Sequence, residues 1–570
     1  MIHPVAILMV LEPYLVKYMK KNTIHPPQLL VIGLDGATFE IIEPLAKAGH
    51  LPNLNSLMNQ GIWERLKSTI PPVSPQAWSS FLTGVNPGKH GIFGFQGPAI
   101  KRMNQRTISN YTSIQSPTIL KLISDAGLKT VVLGMPMTYP PVPVNGYNIP
   151  EQHGPPKSHP PGLWNEVCST IGDIRDPSSH IAYLFTREKQ GYIDFQIALA
   201  EKQYRAFRFM LSRCRADLAM MVFTQTDRMS HYLWHTVPDD RTDTSNPIAK
   251  IYCAIDELLG ELIHDCGEKT SIIVMSDHGF TNLQQICFLN SYLEEKGFLK
   301  KRSFIQSFAS RRYPWLVYRS YNAIARRFNL PHIGIPFDRL KRPIDPDLYD
   351  PRLFIDPHVF IDWRSTEAYM SSMADHGIFL NVKGREPEGI IHPGNDYERI
   401  RQNVRDSLCS MTLPGSNSPM FRNVWMREDL YHGNAISTAP DIIFETNNDT
   451  YMCLPHTYHD DLLIDSHIMT GMHQQDGILI MAGESFIHET MLHQPRIIDL
   501  APTLLNMLDL PVPEYMDGRV LVEALRTPPV EGVETNVYKE SHPLPQNETV
   551  ELDEEDRKKL EDHLRGLGYI

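Results

Sequence analysis

The sequence predicts an α/β protein built on a mainly parallel central sheet, and two observations carry that prediction. Short, largely apolar runs recur at Leu29–Leu34, Leu218–Phe223 and Ser271–Met275 without alternation, the pattern of parallel strands buried on both faces. Each run leads into ionisable residues: Asp35-Gly36 after the first, Thr226-Asp227 after the second, Ser276-Asp277-His278-Gly279 after the third. Open α/β sheets bind ligands at the carboxyl ends of their strands, so these three segments aim polar groups at one rim.

In chain order, Leu29–Leu34 is the strand that delivers Asp35. The stretch 69–84 reads as extended chain, then Ser74 as an N-cap, Pro75 as the first helical residue and a short helix ending at Gly84. A helix N-terminus offers unpaired N–H groups and the positive end of the macrodipole, which favour a phosphate or an alkoxide at Ser74. After the strand Leu218–Phe223 come Asp227 and, four residues on, His231. Gly377–Val382 is strand-like and leads into Lys383-Gly384-Arg385, while Gly471-Met472-His473 precedes the strand-like run Gly477–Met481. Residues 547–560, rich in Glu, Asp and Lys, read as a terminal surface helix.

Each piece has a plainer reading. An Asp-Gly after an apolar run commonly makes a turn, a Ser-Pro pair commonly only caps a helix, and one buried imidazole means little in a chain with 24 histidines. Asp277-His278 is harder to dismiss, because adjacent ionisable groups at the mouth of a buried strand are costly unless paired or metal-bound. Asp35, Asp227, His231, Asp277, His278 and His473 together make a carboxylate and imidazole set without cysteine, which suits Zn2+ first and Mn2+ second. Two such ions roughly 4 Å apart clamp the attacking and leaving oxygens of a phosphoryl group.

These motifs resemble the alkaline phosphatase superfamily, and within it the type I phosphodiesterase/nucleotide pyrophosphatase branch, especially its prokaryotic predicted phosphohydrolase/phosphomutase group. The resemblance rests on Val31–Gly36, Pro72–Pro75 with Ser80–Gly84 and Gly88–Phe93, Thr226-Asp227 with His231, Ser276–Phe280, Gly384–Gly389, Gly471–His473 with Asp476-Gly477, Asp499–Leu505 and Asp517–Arg519. It implies a three-layer sandwich with cap insertions and two divalent ions, one held by Asp35, Ser74, Asp277 and His278, the other by Asp227, His231 and His473. It also implies Ser74 as the nucleophile that forms a covalent phosphoryl-enzyme. Relatives often carry Gly-Asp-His before the last ligand where this chain has Gly471-Met472-His473, which removes a carboxylate but keeps the ligand.

The expected organisation is an N-terminal extension at 1–27, a catalytic core at 28–290 with an insertion at about 140–200, a cap region at 291–450, the rest of the core at 451–525, and a tail with a surface helix at 526–570. In the resembling family the cap sets substrate choice, which makes Lys383 and Arg385 candidates for a distal substrate anion; the plainer reading pairs Arg385 with Glu386 or Glu388. Between Lys300 and Arg342, eleven Lys or Arg face one acid, Asp338. That segment reads first as a solvated insertion and second as a membrane-surface or phosphate patch.

Five hundred and seventy residues bury a large core, and a formal charge of −12 gives no general attraction to nucleic acid. Seven cysteines without framework spacing or a CxxC favour reduced thiols and a cytoplasmic location. The apolar run Val5–Val10 has its lysines after it and is too short to span a bilayer, so it matches neither a signal peptide nor a membrane helix. The expected partner is a small phosphorylated substrate, with no specific nucleic acid and membrane-surface contact not favoured. A phosphomutase, a phosphonate hydrolase or a phosphoryl transferase would use the same core, and a silent module docking on membranes is the alternative outside enzymology.

Overall fold

The computed structural model describes residues 23–103, 105–151, 154–176, 189–302, 358, 361–413, 415–457, 461–488, 490–527 and 557–561. Seven strands form the central sheet: β1 (Leu29–Leu34), β2 (Ile62–Lys67), β3 (Thr130–Leu133), β4 (Gly146–Ile149), β5 (Leu218–Phe223), β6 (Ser271–Met275) and β7 (Asp476–Ala482). Their spatial order is β2-β7-β6-β1-β5-β3-β4. β1 lies between β5 and β6 and is parallel to both, β3 is parallel to β4 and β5, and β7 runs antiparallel to β2 and β6. All three apolar runs therefore sit side by side at the centre.

The alternation of side chains along β1 divides the interior in two. Leu30, Ile32 and Leu34 pack with Leu45 of α1 (Phe39–Lys47), Leu54 of α2 (Pro52–Gln60) and Tyr252 of a long helix at Pro247–Cys266. Leu29 and Val31 pack on the opposite face with Trp78 and Phe81 of α3 (Ser74–Thr83) and with Leu500 and Leu504 of the helix Leu500–Met507. Helices on both faces of a mostly parallel sheet give the expected three-layer α/β sandwich. Local chemistry sets the helix ends: Thr38 accepts from the Glu40 N–H ahead of α1, and Asn246 accepts from the Ala249 N–H ahead of Pro247–Cys266.

A second, four-stranded antiparallel sheet lies in the region read as a cap, in the order Ala368–Tyr369, Gly377–Leu380, Ile442–Thr446, Phe421–Met426. The helix Asn395–Cys409 covers it, burying Ile400, Val404 and Leu408 against Ile378, Leu380 and Phe444.

The reading of 140–200 as an insertion needs correction. β4 is the edge strand of the central sheet, and the helix Lys189–Leu211 buries Tyr192, Ile193 and Ala200 in the main core. Prolines obscure a four-residue strand that needs only one parallel neighbour. Residues 1–22, and the basic segment beyond Arg302 up to 342, lie outside the described residues. None of the seven cysteines forms a disulfide. Among the described residues no helix is long and apolar enough to cross a membrane.

Candidate active site

The carboxyl ends of β1, β5 and β6 meet above the sheet. Asp35 directly follows β1, and its N–H donates to the Phe223 carbonyl at 3.0 Å, continuing the parallel ladder into the site. Gly36 then turns the chain at φ +65°, and a Cβ there would lie 2.8 Å from the Phe280 ring. Only glycine meets both demands. α4 (Gln225–Leu233) follows β5 and places Asp227 and His231 one turn apart on the same face. Asp277 and His278 follow β6, while His473 sits on a two-stranded ribbon, Gly471–Gln474 paired with Gly279–Asn282, directly opposite Phe280. Close packing brings that ribbon down on α4: a Cβ on Gly471 would lie 2.3 Å from the Ser230 carbonyl oxygen.

The six residues form two groups, Asp35 with Asp277 and His278, and Asp227 with His231 and His473, each with its ligand atoms within 4.8 Å of one another. The partition matches the one the family resemblance implies. Within it, His278 Nε2 lies 3.3 Å from Asp277 and 3.7 Å from Asp35, while Asp227 Oδ1 lies 3.2 Å from His473 Nε2 and 3.4 Å from His231 Nε2.

Hydrogen bonds fix the imidazoles in one orientation. The Nδ1 atoms of His278, His473 and His231 face the carbonyl oxygens of Gly279, Pro72 and Gly471 at 3.1, 2.9 and 3.3 Å. A carbonyl oxygen only accepts, so each Nδ1 carries a proton and each Nε2 faces the centre, the orientation in which an imidazole binds a metal through Nε2. His473 Nε2 and His231 Nε2 lie 2.9 Å apart, both beside Asp227 Oδ1. The carboxylates repeat the logic: Trp78 Nε1 donates to Asp35 Oδ2 at 3.2 Å and the Gly36 N–H to Asp277 Oδ1 at 3.2 Å, which leaves Asp35 Oδ1 and Asp277 Oδ2 buried without a hydrogen-bond partner. Unpartnered carboxylate oxygens in the first group and inward-facing imidazole nitrogens in both fit a cation in each group.

The electrostatics agree. Burial, then repulsion from Asp277 and Asp227, pushes the Asp35 carboxyl well above its usual range. Burial and the Asp227 charge raise Asp277 to about 7. Burial also opposes ionisation of Asp227, but the adjoining His231 and His473 hold its carboxyl well below the usual range. His278 and His473 are pushed down, by burial first. Three buried carboxyls this close oppose one another's ionisation, an opposition that a cation would relieve.

Ser74 occupies a different helical position from the one expected. The Ala77 N–H bonds to the Val73 carbonyl at 2.9 Å, which makes Val73 the N-cap, Ser74 the first helical residue and Pro75 the second. The Ser74 hydroxyl therefore caps nothing. Its Oγ instead lies 3.2 Å from His278 Nε2, at the edge of the first ligand group.

Sequence reasoning missed several residues around this centre. Trp78 was legible only as core. Arg228, buried between Asp227 and His231 in sequence, pairs with Glu151 at 2.7 Å and with Asp176, walling the cleft that holds Ser74. Gln76 donates to the Ile70 carbonyl at 2.9 Å and Tyr431, from the cap region, donates to the same carbonyl at 2.5 Å, bracing the turn before Ser74. Lys383 is exposed. Arg385 is engaged elsewhere: it forms a two-pronged pair with the fully buried Asp441, at 2.8 and 2.6 Å, and lies 3.4 Å from Glu386. The pairing joins Arg385 to a carboxylate 56 positions away in sequence as well as to Glu386, one of the two partners the plainer reading named.

A model of the type I phosphodiesterase/nucleotide pyrophosphatase family matches residues 29–476. No curated protein matches the chain. Among solved structures, phosphonoacetate hydrolase from Sinorhizobium meliloti 1021, in complex with phosphonoformate, is similar at 16% identity and a TM-score of 0.48, covering 84% of this chain and 95% of that one. Human ectonucleotide pyrophosphatase/phosphodiesterase 5 is similar at 15% identity and a TM-score of 0.44, covering 85% of this chain and 95% of that one. The family model spans most of the sequence, from the strand before Asp35 to the residues just beyond His473: the chain belongs to the type I phosphodiesterase/nucleotide pyrophosphatase family, and is a hydrolase of phosphate ester or phosphoanhydride bonds.

Proposed function

We propose that this hydrolase cleaves a phosphodiester, nucleotide pyrophosphate or phosphomonoester through a covalent phosphoryl group on Ser74, beside two divalent cations. The observation that carries the reading is the Ser74 hydroxyl, which caps nothing at a helix start and lies 3.2 Å from His278 Nε2, at the edge of two groups of carboxylate oxygens and inward-facing imidazole nitrogens. Asp35, Ser74, Asp277 and His278 would hold one cation; Asp227, His231 and His473 would hold the other. When bound, Zn2+ or Mn2+ would supply the positive charge these side chains lack, favouring ionised Ser74 and stabilising the leaving oxygen.

The chain's own residues do the rest. Ser74 Oγ attacks phosphorus; the new O–P bond forms as the ester oxygen opposite leaves, taking up a proton as the free alcohol or phosphate. Water then attacks the Ser74-bound phosphorus, breaking the O–P bond to Ser74, restoring the hydroxyl and releasing a phosphate monoester from a diester or inorganic phosphate from a monoester. At the start of α3 the N–H groups of Ser74 and Gln76 have no partner within the helix, and Pro75 has no N–H, so two donors remain for the non-bridging oxygens. Trp78 and the Gly36 N–H hold the two carboxylates in orientation throughout.

The test is a hydrolysis screen of the metal-analysed protein on bis-p-nitrophenyl phosphate, p-nitrophenyl phosphate, phosphonates and nucleotide pyrophosphates, repeated with Ser74→Ala. Turnover in the parent and none in Ser74→Ala, with metal content retained, is expected. Full activity of Ser74→Ala would remove the nucleophile, and inactivity of the loaded parent on every phosphoryl substrate would remove the reading.

A further inference from the structure

The cleft beside Ser74 and Asp35 has a wall that comes from far along the chain. Residues 557–561 form one helical turn in which Arg557, Lys558 and Lys559 are exposed, while Leu560 is only 2% exposed. Leu560 lines the same cleft as Ser74, Asp35 and Asp227, and Phe95, Met137 and Tyr139 line it as well. A lone apolar side chain in a charged turn is buried only where it has an apolar surface to cover. Met137 is itself held at φ +60°, a conformation costly for a non-glycine residue and typical of ligand-contacting positions.

Charge indicates what the wall fits. Arg228 is the one cationic side chain among the described lining residues, and its guanidinium is engaged by Glu151 and Asp176. That trio carries one more negative than positive charge, which disfavours a second phosphate beyond the one at the metals. Hydrophobic and aromatic surface with a few polar groups is instead the lining of a site for an apolar organic group.

We propose that the turn 557–561 completes the substrate site, with Leu560, Phe95, Met137 and Tyr139 forming the subsite for an apolar or aromatic substituent on a phosphodiester. This deepens the proposed function and rests on it for the identity of the reaction. The substrate class it selects is the aryl or alkyl phosphodiester, in preference to a nucleotide pyrophosphate.

The test compares methyl and phenyl p-nitrophenyl phosphate, which share a leaving group and differ only in the substituent, on the metal-loaded full chain. The wild type favours the phenyl ester in kcat/KM by on the order of tenfold, the scale of burying one ring face. Leu560→Asp removes that preference and Leu560→Met retains it. An unchanged preference in Leu560→Asp, or faster phenyl ester turnover in it, overturns the proposal. A second readout needs no turnover: in Ser74→Ala, diphenyl phosphate slows backbone hydrogen exchange across 557–561, and dimethyl phosphate does not. Equal exchange with and without diphenyl phosphate also overturns the proposal. Failure of the wild type to hydrolyse either ester, with exchange protection present, would refute the reaction and leave the subsite standing.

Discussion

Replacing Trp78 with phenylalanine isolates one orienting contact to the candidate metal site. The indole is fully buried, packs edge-on against Phe81 at 5.7 Å and donates from Nε1 to Asp35 Oδ2 at 3.2 Å. Trp78→Phe keeps an aromatic ring between the sheet and α3 but deletes the donor. A hydrogen bond to a charged acceptor contributes roughly 1.5–3 kcal/mol. At about 1.4 kcal/mol per factor of ten, its loss weakens ion binding at the Asp35 group by about 10- to 100-fold, the range found when such orienting partners are removed. The Asp227, His231 and His473 group has no contact with the indole nitrogen and should keep its affinity. Titrating Zn2+ into metal-free wild type and Trp78→Phe against a chelating indicator would resolve the two sites. Weakening of one site of two is expected. Unaltered affinity at both, or equal weakening of both, would show that Trp78 does not orient a ligand.

Gly471→Ala should cost about 1–3 kcal/mol of stability by overpacking and displace the ribbon that carries His473, since the new Cβ would lie 2.3 Å from the Ser230 carbonyl; metal analysis should show loss at the Asp227 group first. Arg385→Ala removes the two-pronged partner of buried Asp441, which keeps Arg427 at 3.2 Å and the hydroxyl of Tyr397 at 2.7 Å, so a loss of about 1.5–3 kcal/mol in denaturant unfolding is expected. A raised KM with unchanged stability would instead return Arg385 to the role of substrate anchor. His90 supplies a pH test. Its Nδ1 accepts from the Ile92 N–H, its Nε2–H donates to Ser80, and burial lowers its pKa from 6.5 to about 3. The unfolded chain therefore binds a proton between those values that the native state refuses, so this stability is present above pH 6.5 and lost as pH falls towards 3. Denaturation curves across that range should be shallower in pH for His90→Gln; an identical slope would show that His90 is not the group responsible.

Some of this was readable from residue order and some was not. Asp35, Asp227, Asp277 and His278 were legible because a buried parallel strand is an uninterrupted apolar run, and its end is marked by the first charged residue. His473 was legible by its place before β7. The helix start at Ser74 shifted by one residue because the Val73 carbonyl, which no sequence pattern reports, takes the first helical hydrogen bond. β4 was hidden because four residues amid prolines carry too little periodicity. Arg385 and Asp441, and likewise Trp78 and Asp35, are pairs made by tertiary approach. Leu560 sits in a charge-rich stretch whose composition points to solvent, and burial of one side chain in a turn leaves no periodic trace.

The central claim is that Ser74 carries the phosphoryl group during turnover. Acid-quenching the metal-loaded enzyme with a phosphodiester and mapping the modified peptide by mass spectrometry tests it directly. The account predicts one phosphoryl adduct on Ser74, absent from Ser74→Ala; an adduct on another residue, or turnover that persists in Ser74→Ala, would contradict it.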